Sequence, residues 1–198
     1  MPDRYAITRD DILEPAAFEA VRAERRQALI ARKQQRRLGV GPVATFYFEN
    51  WDTMWWQIQE MLRIEKGGEA QIADELEAYA PLVPNGHELV ATLMFEIPDP
   101  VRRDEILRGL GYVEDTVAIE LDGERIVAVP ELQDSVERTS PDGKTSSVHF
   151  LHFPFMPAQI ARFRDPAVRA VLSIGHDNYA HMAVLPAAMR EELAADFD

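Results

Sequence analysis

The stretch Val117-Ala118-Ile119-Glu120-Leu121-Asp122-Gly123-Glu124-Arg125-Ile126-Val127-Ala128-Val129 decides the fold class of this 198-residue chain. Val117 to Leu121 and Arg125 to Val129 are rich in β-branched and apolar residues. Between them, Asp122-Gly123 is the strongest short hairpin signal in the sequence, because a two-residue turn that matches strand twist needs positive φ. A hairpin makes antiparallel neighbours.

The signal repeats outward from that stretch. His87 to Ile97 holds a long apolar strand, and Thr145 to Phe153 follows the turn Pro141-Asp142-Gly143. Strands near 168–175 and 179–184 are joined at Asp177-Asn178. Short helices fit between: Asp99-Pro100 opens one that Gly111 closes, Pro157 starts one reaching Phe163, and Pro186 opens a last one with Met189, Leu193 and Phe197 inward. Toward the N-terminus the period changes from two to 3.6. Asp10 or Asp11 caps a helix running to about Leu38, where Gly39, Gly41 and Pro42 stop it. Val43 to Phe48 reads as a strand. Asn50 or Asp52 then caps a helix carrying Trp51, Met54, Trp55, Ile58, Met61, Leu62 and Glu65, and a third helix over 69–80 places Ile72, Leu76 and Tyr79 on one face. Helices first and hairpin-linked strands later spell a single α+β domain with a largely antiparallel mixed sheet, and residues 10–38 form a basic helix that can pack as an arm.

Composition removes whole classes of function. With 46% hydrophobic and 28% charged residues, the chain is an ordinary globular one. It contains no Cys, so it holds no disulfide, thiolate nucleophile, zinc finger or cysteine-ligated cluster; any cofactor stays unidentified. Met1-Pro2-Asp3-Arg4-Tyr5 lacks the basic and apolar regions of a signal peptide, and no apolar run approaches the ~20 residues of a bilayer span. A cytoplasmic location is expected.

The net charge of −13 opposes nucleic-acid binding, but it is unevenly spread. Residues 22–37 hold Arg22, Arg25, Arg26, Arg32, Lys33, Arg36 and Arg37 against Glu24 alone, a net of +6 in a chain whose remainder carries −19. On a helix these seven occupy one arc roughly 140° wide. Such an arc suits an acidic partner or an anionic ligand; the plainer alternative is that it folds against the chain's own acidic body.

Other candidates are single side chains. Glu49 ends a strand, and Glu60 and Glu65 lie on the tryptophan-bearing helix; Glu65 shares a face with Ile58 and Met61, where a desolvated carboxyl would act as a general acid, the plainer alternative being that it reaches solvent or an arginine from the last turn. His149 and His152 point to opposite faces of their strand. Across the Asp177-Asn178 turn, His176 faces Tyr179 and His181 faces Ile174, so no histidine pair chelates locally. A metal site would need His176 to meet Glu49, Glu60 or Glu65 through tertiary structure. Trp51 and Trp55 share a face and belong to the core, whereas Trp56 is turned about 100° away and suits a ligand or partner. Gly39-Val40-Gly41 lies in the wrong order for a phosphate loop, and no Gly-x-Ser-x-Gly elbow exists.

Several segments together resemble a bacterial family of uncharacterised proteins, domain-of-unknown-function family 3501. They are Glu24-Arg25 through Lys33, Arg36-Arg37 and Gly39; Phe48-Glu49-Asn50 with Thr53, Gln57, Glu60-Met61, Arg63 and Glu65; Glu88 to Leu93; Ser147 to Phe153; and Gly175-His176-x-x-Tyr179. The resemblance implies genes lying near those of rubrerythrin and of an iron–sulfur oxidoreductase, and so a redox protein partner in stress defence.

Two readings follow. The first is a non-enzymatic accessory protein docking a redox partner through Arg22, Arg25, Arg26, Lys33, Arg36, Arg37 and Trp56. The second is a small metal-dependent or acid–base enzyme, with Glu49, Glu60 or Glu65, His176 and Tyr179 acting on an anionic substrate held by the arginines.

Overall fold

The computed structural model describes residues 4–131 and 138–198; Met1–Asp3, part of the start read above for a leader, lie outside them. Among the described residues, nine strands fall into two sheets. One has the order β1 (Arg37–Val40), β2 (Ala44–Glu49), β3 (Glu88–Phe95), β7 (Val148–Pro154), β6 (Val129–Pro130); the other runs β5 (Glu124–Val127), β4 (Val117–Leu121), β8 (Ala170–His176), β9 (Tyr179–Val184). Every pairing is antiparallel, as the hairpin signals require. The fold is α+β.

The turn at Asp122-Gly123 has φ of 49° and 88°, and Leu121 pairs with Glu124 across it. The Asp177-Asn178 turn sets His176 opposite Tyr179 and Ile174 opposite His181, as expected from its two-residue length.

Alternation along β3 splits the interior in two. Leu89, Ala91, Leu93 and Phe95 face a large core shared with Val117, Ile119 and Leu121 of β4, Leu172 and Ile174 of β8, and Phe163, Leu193 and Phe197 from the late helices. Val90 faces the opposite way. There it joins Met54, Trp55 and Ile58 of α2 (Trp51–Glu65) with Phe18 of α1 (Pro15–Gln34), and Ile72, Leu76 and Tyr79 of α3 (Gly68–Tyr79) pack against this second core half-buried. The five-stranded sheet therefore lies between the early helices and the four-stranded sheet. Its central strand is buried on both faces, which is why residues 89–93 are continuously buried.

Capping places α2 accurately. Asn50 accepts from the Thr53 amide at 3.0 Å, while its own amide donates to Thr53 Oγ1 at 2.9 Å. Asp99 likewise caps α4 (Pro100–Arg108), which stops at Gly109 before the expected Gly111.

The first helix is shorter than expected at both ends. Residues 9–11 form a separate 3₁₀ turn and Pro15 opens α1, because the preceding segment is clamped: Trp51 Nε1 donates to Ala6 O and Trp55 Nε1 to Asp11 O, both at 2.8 Å. At the other end Arg36 turns inward and residues 37–40 become β1, paired with β2 from Arg37↔Tyr47 to Val40↔Ala44. Gly41, at φ 75°, makes the hairpin turn and so stops no helix.

Candidate functional site

Helix α1 buries only Phe18 and Leu29 of its 20 residues, so most of its side chains face outward or meet acids of other elements. Arg22 grips Glu60 through two bonds of 2.6 and 3.1 Å, and this hydrogen bonding raises its pKa. Arg32 pairs with Asp52 and, at 2.7 Å, with Glu192. Arg36 is 1% exposed; it donates to Phe48 O and Glu49 O at 3.0 Å and pairs with Glu192 and Asp196. Arg37 meets Glu96 at 3.1 Å, and that bond raises its pKa. Four of the seven cations are thus committed within the chain.

Arg25, Arg26 and Lys33 differ. Among the described residues none of them has an acid within ion-pair distance. Arg26 and Lys33 stand one above the other on the exposed face of α1, with Ile30, 48% exposed, beside them. Arg25 lies over the Trp55 ring at 5.5 Å from its centroid. It also lines two adjoining hollows. The larger, about 420 Å³, is bounded by Arg4, Arg32, Trp51 and Asp196 as well; the smaller continues it toward Trp55 and Trp56.

The aromatic platform behind Arg25 follows the helical period. Trp51 stacks on Trp55 at 5.8 Å and 11°. Trp56 packs half-buried on the same core as Trp51 and Trp55: it meets Phe18 edge-on at 5.6 Å, as Trp55 does at 5.9 Å, and it also edges the hollow.

The glutamates and His176 do not converge. Glu49 is 7% exposed and accepts from Thr53 Oγ1 at 2.6 Å and Thr92 Oγ1 at 2.7 Å. Glu60 is held by Arg22, and exposed Glu65 accepts from Gln71 at 2.9 Å. His176 uses both ring nitrogens on backbone: Nε2 donates to Gly111 O at 3.2 Å and Nδ1 accepts from the Asn178 amide at 3.2 Å. Tyr179 is also committed. Its hydroxyl donates to Val40 O at 2.9 Å and accepts from the amides of Val43 and Ala44 at 3.0 Å, fastening the β1–β2 turn to β9. No hydrogen bond or ion pair joins His176 or Tyr179 to Glu49, Glu60 or Glu65. Among the described residues no group of three His, Asp or Glu is placed to hold a metal ion.

Three arrangements escape a local reading. His152 sits between Glu88, 3.0 Å from Nδ1, and Glu131, 2.9 Å from Nε2 as an ion pair off the hydrogen-bond direction. Burial opposes its charge, but the bond to Glu88 and the two carboxylates outweigh it and raise its pKa. His149 and Glu114 face one another in the core, and burial pushes them in opposite senses, Glu114 up and His149 down to about 4. Gln59 is buried on α2, and its Nε2 meets no acceptor among the described residues. His149 had a usable signal, since it alternates in phase with Leu151 and Phe153. Gln59 had none.

The family model described as "Protein of unknown function (DUF3501)" matches residues 6–197. A solved structure, described as a novel protein of unknown function from Burkholderia pseudomallei K96243, superposes with a TM-score of 0.87 at 34% identity, covering 98% of this chain and 100% of that one. No curated protein matches. No helix among the described residues is long and apolar enough to cross a membrane.

Proposed function

This chain belongs to the DUF3501 family, and we propose that it is a single-domain, non-enzymatic accessory protein that docks an acidic protein partner on the outer face of α1. One observation carries the reading. In a chain of net charge −13, Arg25, Arg26 and Lys33 have no ion-pair partner among the described residues, and they lie beside an exposed Ile30 and a tryptophan-floored hollow. Arginine and tryptophan around a sheltered depression are the side chains that dominate binding energy at protein interfaces. The partner implied by the family resemblance is a cytoplasmic redox protein of the rubrerythrin or iron–sulfur oxidoreductase type.

The test is affinity capture from the cells that make the protein, comparing wild type with the triple variant Arg25→Glu, Arg26→Glu, Lys33→Glu. Arg36 is left intact, because its buried ion pairs would make any substitution a test of folding. The expected result is an acidic redox protein retained by wild type at low ionic strength and lost both in the variant and at about 0.5 M salt, where screening shortens to a few ångströms. Capture indifferent to salt and to the three reversals would overturn the reading.

A further inference from the structure

A hollow larger than those on the basic face lies away from it, where α1, α2 and α3 meet. It is a cleft of about 870 Å³ whose walls include Ile12, Leu13, Phe18, Leu62 and Ile72. That volume is in the range of small-molecule sites, and such sites combine apolar walls with a few placed polar groups. Gln59 supplies the polar group here.

Gln59 lines this cleft and is 2% exposed. Its Nε2 is shielded from water and, among the described residues, meets no acceptor. An amide nitrogen buried without a partner costs about 1–3 kcal/mol, so native proteins rarely keep one without use. The two amide atoms exchange by rotation of the terminal torsion, so the amide can turn its N–H toward the cleft.

The rim decides the charge of the occupant. Glu14 and Glu69 are both paired with Arg9, and Glu19 with Arg63 at 2.9 Å, while Lys66 adds one further cation. The lining itself holds three acids against two bases, and Arg9, outside the lining, brings the charges around the cleft into balance through its ion pairs with Glu14 and Glu69, unlike the basic face of the same helix.

We infer that this three-helix cleft binds a small, uncharged, apolar molecule through a carbonyl oxygen that accepts from the Gln59 side-chain amide. The apolar body lies along Leu62, Ile72 and Phe18, and the oxygen meets the one buried donor. This site is independent of docking on α1, and either can fail alone.

The probe is prodan, an uncharged dimethylamino-naphthalene ketone whose emission moves to the blue in apolar surroundings, titrated into the full-length protein. Two variants report on the site. Gln59→Leu keeps the volume and removes the donor. Ile64→Glu places a charge at the rim, where Ile64 is 65% exposed and the fold tolerates it. Wild type is expected to bind saturably with blue-shifted emission. Affinity should fall about five- to tenfold in Gln59→Leu, the loss of one hydrogen bond, and also in Ile64→Glu. Absence of saturable binding to wild type overturns the proposal. So does binding unchanged in either variant: Gln59→Leu unaffected removes the amide's role, and Ile64→Glu unaffected places the probe elsewhere. If sedimentation shows a dimer that Ile64→Glu dissociates, the cleft is covered by a second copy, and the proposal is equally lost.

Discussion

His149 Nδ1 and Glu114 Oε2 face each other across 3.6 Å in the core, each shielded from water and neither hydrogen-bonded among the described residues. The opposite ring nitrogen of His149 lies 3.0 Å from Ser146 O, a pure acceptor, so Nε2 carries the hydrogen and Nδ1 the lone pair. Burial raises the pKa of Glu114 and lowers that of His149 to about 4, so at neutral pH the histidine is uncharged and the carboxyl resists ionisation.

The pair predicts two opposite pH dependences. For His149 the folded value is depressed, so its contribution is present above pH 6.5 and lost as pH falls toward 4, on the order of 3 kcal/mol in full. For Glu114 the folded value is raised, so its contribution is complete below the unfolded carboxyl pKa and lost as pH rises through the folded one. Glu114→Gln is expected to come nearest to wild type at pH 4 and to exceed it at pH 8 in urea denaturation. An NMR titration of His149 with a midpoint near 6.5 would contradict the arrangement.

His152 behaves in the reverse sense from His149. Its folded pKa is raised by Glu88 and Glu131, so the stability it adds is fully present below pH 6.5 and disappears as pH rises through the folded value. His152→Gln should cost about 1–3 kcal/mol at pH 6 and much less at pH 9, measured by denaturant midpoints at both.

Two arginines from the same basic stretch should differ sharply. Arg36→Met strands Asp196, whose pKa burial already raises, and leaves Phe48 O and Glu49 O without their donor; a loss of about 3–5 kcal/mol follows. Arg26→Ala, with no acid partner among the described residues, should change stability by less than about 0.5 kcal/mol. Equal melting temperatures for the two variants would refute the account of the helix given above.

Tyr179→Phe should loosen one corner of the fold without abolishing it. The hydroxyl ties Val40 O to the amides of Val43 and Ala44, so its removal is expected to cost about 1–3 kcal/mol and to speed hydrogen exchange at those two amides. Gly41→Ala tests the same corner sterically. Its Cβ would lie 2.5 Å from a His181 ring carbon and 2.7 Å from the Tyr179 hydroxyl, at a φ of 75° that alanine disfavours. It should be at least as destabilising as Tyr179→Phe in the same denaturation assay.

Much of the architecture is legible in the sequence. The Asp122-Gly123 and Asp177-Asn178 turns, the Asn50 and Asp99 caps, and the shared face of Trp51 and Trp55 all depend on residues within a few positions of one another. The end of α1 was not legible. Gln34, Gln35, Arg36 and Arg37 are all compatible with continuing a helix, and Arg36 leaves it for acceptors 12 and 13 residues ahead on β2, for Glu192 on the C-terminal helix and for Asp196 just beyond that helix.

The candidate site divides along the same line. Spacing alone determined that the seven cations share one helical arc if the helix runs through them, and that no two histidines chelate locally. Only the tertiary structure decided which charges stay free. Glu60 reaches Arg22 from 38 residues away and Glu192 reaches Arg32 from 160. Nor could a lone glutamine on α2 be seen to lose its water without knowing that α1 and α3 would close around it. Helical angle and turn chemistry are properties of neighbouring residues. Charge pairing and desolvation act over a few ångströms of space, a distance that sequence separation does not measure.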